Sequence, residues 1–131
     1  MALARPGVVG AVAKILLTED DEAVRAFVRR ALELDGHSVT IAEDGAAALE
    51  TLTVESGAFD LLLSDIQMPI MDGIALAMNA KRDFPDLKIL LMTGYADQRE
   101  RASGLDALVQ DVVPKPFTLA EIREAVGKAL R

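Results

Sequence analysis

Five short apolar runs punctuate the chain: Ile15-Leu16-Leu17, Val39-Thr40-Ile41-Ala42, Leu61-Leu62-Leu63, Ile89-Leu90-Leu91-Met92 and Val112-Val113. They are nearly continuous rather than alternating, and each is too short for a helix. A strand that is apolar on both faces must be covered on both, which is the condition of a parallel sheet between helical layers. Between the runs the spacing is helical. Val24, Phe27, Val28, Ala31 and Leu32 make an inward stripe, with Arg25, Arg29 and Arg30 outside and Gly36 as the stop. Asp44 is placed to N-cap a second helix that buries Ala48, Leu49 and Leu52. A third follows the Asp72-Gly73 turn through Ile74, Ala77 and Met78 and ends before Pro85. The stretch Asp97 to Leu108 offers only Ala102 and Leu105 as a thin apolar stripe, so it should be the least firmly docked helix. Thr118-Leu119-Ala120-Glu121 is a capping box for a last helix burying Ile122, Ala125, Val126 and Ala129. Five strands alternating with five helices predict a doubly wound α/β sandwich.

Composition narrows the function. At 131 residues, half of them apolar, the chain is one ordered domain, expected over residues 14–131. Residues 1–13 read as a flexible leader. Their Ala11-Val12-Ala13 end mimics a signal cleavage site, but the apolar part before it is short and contains two glycines. A net charge of -7 argues against a nucleic-acid binder. The absence of cysteine excludes a disulfide framework and a thiolate metal site. No apolar stretch is long enough to span a bilayer, so a cytoplasmic location with no membrane partner is expected.

The chemistry follows the runs. Glu19-Asp20-Asp21 comes after the first, Asp65 ends the third, Thr93 ends the fourth, and Lys115-Pro116-Phe117 follows the fifth. In a parallel sheet these positions share the carboxyl edge, where open α/β folds bind ligands. Carboxylates gathered there repel: a pair at about 4 Å with an effective dielectric near 20 costs about 4 kcal/mol. Such a cluster implies a cation or a raised pKa. All-oxygen ligation with few carboxylates suits Mg²⁺, with Asp20 and Asp65 as direct ligands, Glu19 acting through water and the Gln67 backbone carbonyl as a further oxygen. Asp21 should point away or cap the first helix. A carboxylate can also be a nucleophile toward phosphorus, and then Lys115 and Thr93 are placed to pair with phosphoryl oxygens. The Lys115-Pro116 bond is a candidate cis peptide. His37 reads as a solvated loop residue, and Met68 and Met71 as packing under the site loop.

From Lys14 to Leu130 the chain resembles a bacterial response regulator receiver domain, the phosphoacceptor of two-component signalling. Glu19 and Asp20 match the metal-binding acid pair, Asp65 the phosphoacceptor, Thr93 the switch hydroxyl, and Lys115 the lysine that precedes proline. The resemblance implies a flavodoxin-like fold with strand order 2-1-3-4-5. It also implies a histidine kinase or histidine phosphotransfer protein as phosphodonor, and no activity beyond self-phosphorylation and self-dephosphorylation. The family often has an aromatic three residues before the lysine, and here that position is Val112. Thr93-Gly94-Tyr95 is instead similar to single-domain regulators, CheY-like and CpdR-like, and Tyr95 becomes the candidate switch aromatic. No effector domain follows, so the expected output is a contact with a downstream protein partner. Three rival readings are weighed, and the first, a receiver-like domain that is never phosphorylated and serves purely as a binding module, is opposed only by the intact site. A phosphatase with a nucleophilic Asp usually carries a second acid two residues on, where this chain has Gln67. A flavin carrier of similar fold would find its phosphate repelled by Glu19-Asp20-Asp21.

Overall fold

The computed structural model describes residues 12–56, 58–94 and 104–131. Five strands form one parallel sheet in the order β2-β1-β3-β4-β5: β1 Lys14–Thr18, β2 Ser38–Ala42, β3 Leu61–Asp65, β4 Lys88–Thr93 and β5 Asp111–Pro114. The helices are α1 Glu22–Leu34, α2 Gly45–Val54, α3 Gly73–Asp83 and α4 Leu119–Leu130. This is a flavodoxin-like α/β fold with four helices among the described residues, against five expected. Of the stretch expected to supply the fifth, residues 97–103 lie outside those described, and residues 104–108 form turns instead.

The apolar runs are continuous because the sheet has two buried faces. Successive side chains point to opposite sides, so Ile15, Leu17, Leu61, Leu63, Leu90 and Met92 face α1 and α4. Leu16, Leu62, Ile89 and Leu91 face α2 and α3. The helices present matching stripes: Val28, Ala31 and Leu32 on α1, Ile122, Val126 and Ala129 on α4, and Ala48, Leu52, Ile74, Leu76, Ala77 and Ala80 on α2 and α3. Two residues read as core are not. Phe27 is 40% exposed and Met78 53% exposed, because each lies on the flank of its helix rather than over the sheet.

Caps fix where the helices begin. The Asp21 carboxylate accepts from the amides of Ala23 and Val24, Asp44 from Ala47, and Thr118 and Glu121 close a capping box. Asp72 is more than a turn residue: its carboxylate accepts from the Ala75 amide and N-caps α3. Gly73 follows because the backbone crosses β3 so closely that any Cβ would run into the Asp65 carbonyl oxygen. His37, read as solvated, is buried. Its Nδ1 accepts the Ala13 amide at 3.0 Å, so the ring helps hold the start of β1.

Candidate functional site

The strand order reverses between β1 and β3, since the chain leaves β1 for β2 on one side and returns to β3 on the other. The carboxyl ends of β1 and β3 therefore open a crevice at the switch point. A pocket of about 370 Å³ lies there, lined by Glu19, Asp20, Asp21, Asp65, Gln67, Gly94 and Lys115. The loop after β3 is held by backbone hydrogen bonds: Ile66 donates to the Met92 carbonyl at 2.9 Å and Gly73 to that of Ile66 at 2.8 Å. Lys115 N donates to the Thr93 carbonyl at 2.7 Å, which places β5's outgoing loop against the end of β4. The Lys115-Pro116 peptide bond is cis.

Inside the pocket one ammonium serves two carboxylates. Lys115 Nζ stands 2.7 Å from Glu19 Oε1 and 2.9 Å from Asp65 Oδ1. Glu19 and Asp65 are buried and Asp20 is exposed, and an oxygen from each can be chosen so that all three lie within 4.8 Å of one another. Burial pushes the pKa of Asp65 above the usual carboxylate value, against the opposing pull of Lys115. Glu19 is raised for the same reason, its bond to Lys115 offsetting only part of the effect. Burial works against the Lys115 charge too, but the hydrogen bonds to both acids outweigh it and raise its pKa. The donor set is all oxygen, compact and open on the Asp20 side. It fits a hard divalent cation that keeps positions for water and a substrate oxygen, as Mg²⁺ does.

Glu19, Asp20, Asp65, Gln67 and Lys115 thus share one pocket. Thr93 is 2% exposed at the end of β4, next to the lining residue Gly94. Tyr95 lies outside the described residues. Asp21 both caps α1 and lines the pocket. Arg25, an outward helix residue by its spacing, turns back so that Nη1 donates to the Glu19 carbonyl at 2.9 Å. It is six residues from its partner, a spacing that carries no sequence signature.

A flavodoxin-like sheet with an acid-and-lysine pocket at its switch point defines the class of molecule. Residues 15–127 match the family model of the response regulator receiver domain, and the chain belongs to that family, the receivers of response regulators in two-component systems. Response regulator MprA of Mycobacterium avium is 39% identical over 118 residues, covering 90% of this chain and 51% of the relative. The chain therefore spans about half the length of the curated relatives it matches. Among solved structures, a CheY-like response regulator receiver domain protein from Methanospirillum hungatei superposes with a TM-score of 0.80 at 29% identity, over 92% of this chain and 94% of the other. The REC domain of AraT, a response regulator from Geobacillus stearothermophilus, gives 0.78 at 31% identity over 91% and 93%.

Proposed function

We propose that the chain accepts a phosphoryl group on Asp65 and uses it to switch a protein-contact surface. The observation carrying this is the Lys115 ammonium shared between Glu19 and Asp65, with Asp20 at the open side of the same pocket. Mg²⁺ held by Glu19, Asp20, Asp65 and the Gln67 carbonyl would neutralise the acids and the phosphoryl oxygens. The Asp65 carboxylate attacks phosphorus, a new O–P bond forms, and the P–N bond of a phosphohistidine breaks with its electron pair passing to the imidazole. Lys115 then pairs with a phosphoryl oxygen in place of Asp65, and the Thr93 hydroxyl donates to another.

The phosphodonor in this reading is a histidine kinase or a histidine phosphotransfer protein. The output is a protein-protein contact on the strand around Val112 and the face beginning at Thr118, together with the stretch 97–108, of which residues 97–103 lie outside those described. The working place is the cytoplasm, with neither nucleic acid nor membrane as partner. Self-phosphorylation and self-dephosphorylation are the only chemistry. Incubation with Mg²⁺ and acetyl phosphate should add one phosphate by intact mass, and Asp65→Asn should add none; an unmodified wild-type chain at saturating donor overturns the proposal. We assign control of hydrolytic water to Gln67 and, on sequence grounds alone, to Tyr95, which lies outside the described residues. Gln67→Ala and Tyr95→Ala should change the lifetime of the phosphorylated form several-fold more than its rate of formation, and equal effects on both rates would count against this.

A further inference from the structure

The Asp65 pocket does not end at its charged walls. Gly94 and Lys115 also line an adjoining groove of about 500 Å³, whose other walls include Val24 and Phe27 of α1 and Pro116 and Phe117 of the loop after β5. The Phe27 and Phe117 rings stand 6.3 Å apart between centroids, tilted by 30°, and Phe27 presents 40% of its surface to solvent. Lys115 is the border residue. Its ammonium holds Glu19 and Asp65 while its side chain also lines the groove, as a long amphipathic side chain can. A small ligand reaching both spaces would meet oxygen ligands and a cation at one end and aromatic carbon at the other.

Resting on the phosphoacceptor reading of Asp65, we infer that this groove seats the organic body of a small phosphodonor, and that aromatic acyl phosphates are the class it favours. The volume lies in the range of small-molecule sites. Continuity with the reacting pocket through Gly94 and Lys115 allows one molecule to occupy both. The two rings offer offset or edge-on packing to a third. The step is balanced without a further reactant. An Asp65 oxygen bonds to phosphorus, the bond from phosphorus to the acyl oxygen breaks, and its electron pair leaves on the carboxylate product. No proton or electron is exchanged with solvent.

The test is a time course by intact mass with Mg²⁺ and either benzoyl phosphate or acetyl phosphate. Each is run on the wild-type chain, on Phe27→Ser and on Phe117→Leu. The ratio of the two labelling rates within each protein is compared, which cancels the intrinsic reactivity of the donors. The wild-type ratio of benzoyl to acetyl phosphate labelling should exceed that of Phe27→Ser by about tenfold, the scale of one good aromatic contact. Phe27→Ser should produce that drop by slowing benzoyl phosphate labelling far more than acetyl phosphate labelling. Phe117→Leu, which keeps an apolar side chain in the fold, should lower the ratio too. A ratio equal in wild type and Phe27→Ser overturns the inference and leaves the groove to a protein surface. Labelling by neither donor overturns the phosphoacceptor reading itself, so the two failures are distinct.

Discussion

The two ends of the sheet treat polar groups in opposite ways. At the amino end they are matched. The Ala13 amide donates to His37, the Lys14 amide to Asp60 at 2.8 Å, and the Lys14 ammonium pairs with Glu55 while lying 4.6 Å from the centre of the Phe59 ring. At the carboxyl end Lys115 is divided between Glu19 and Asp65, with Asp20 beside them. Packing alone would not assemble like charges in a buried place. The amino end spends its polar groups on starting strands, whereas the carboxyl end keeps an excess of carboxylate that a cation can offset.

The largest effect should come from removing the cation that holds this imbalance in check. Lys115→Met leaves two buried carboxylates without their shared cation, a type of change that costs about 3 kcal/mol or more. Urea denaturation in EDTA should show that loss near neutral pH. Saturating Mg²⁺ should then recover more stability in Lys115→Met than it adds to the wild type, because it meets a less compensated cluster. Equal gains from Mg²⁺ in both proteins would mean that the lysine and the metal do not share the same carboxylates.

Acid separates the two ends by sign. Burial lowers the His37 pKa below its ordinary 6.5, with Asp35 and Asp60 opposing. Below pH 6.5 the unfolded chain therefore binds more protons than the folded one, and this group makes stability fall as pH falls. Glu19 and Asp65 are raised instead, so the folded chain binds protons first and their contribution improves on acidification. His37→Asn offers the Ala13 amide a non-titrating acceptor and should flatten the loss just below pH 6.5. Asp65→Asn should remove its own share of the opposing gain and reduce that of Glu19, which the Asp65 charge helps to raise. Parallel pH profiles for wild type and His37→Asn would show that the ring does not couple folding to protons.

Why the strands and the site were readable is a matter of locality. A strand buried on both faces leaves an uninterrupted apolar run, and each reactive residue follows such a run, so Glu19, Asp65 and Lys115 could be set on one edge from the chain order. What escaped depends on distant neighbours. His37 follows a glycine in a polar stretch and looks solvated until the Ala13 amide, 24 residues away, is placed on it. Phe27 fits the stripe of α1 by spacing, yet it meets Phe117 from the far end of the chain instead of the sheet. Asp72 reads as a turn residue in the sequence and caps the third helix in the structure, because a turn before a helix and an N-cap use the same residue types. Tyr95, weighed on sequence grounds alone, lies outside the described residues.

The smallest effect concerns a residue that belongs to neither pattern. Thr18 ends β1, pairs in register with Ser64 of β3, and is fully buried. By alternation with Leu16 it faces the α2 and α3 side of the sheet. Its hydroxyl has no hydrogen-bond partner among the described residues, whereas Ser64 donates to the Asp65 carbonyl at 2.9 Å. An unsatisfied buried hydroxyl costs on the order of 1 kcal/mol, and valine has nearly the same shape. Thr18→Val should therefore stabilise the chain by about 0.5–1 kcal/mol in urea denaturation. Its acetyl phosphate labelling should not change, since Thr18 does not line the pocket. Stabilisation with normal labelling would place the unrelieved cost of the carboxyl end partly in the sheet beneath the site. Destabilisation would instead show that the hydroxyl is satisfied in solution, and would confine the imbalance to Glu19, Asp20, Asp65 and Lys115.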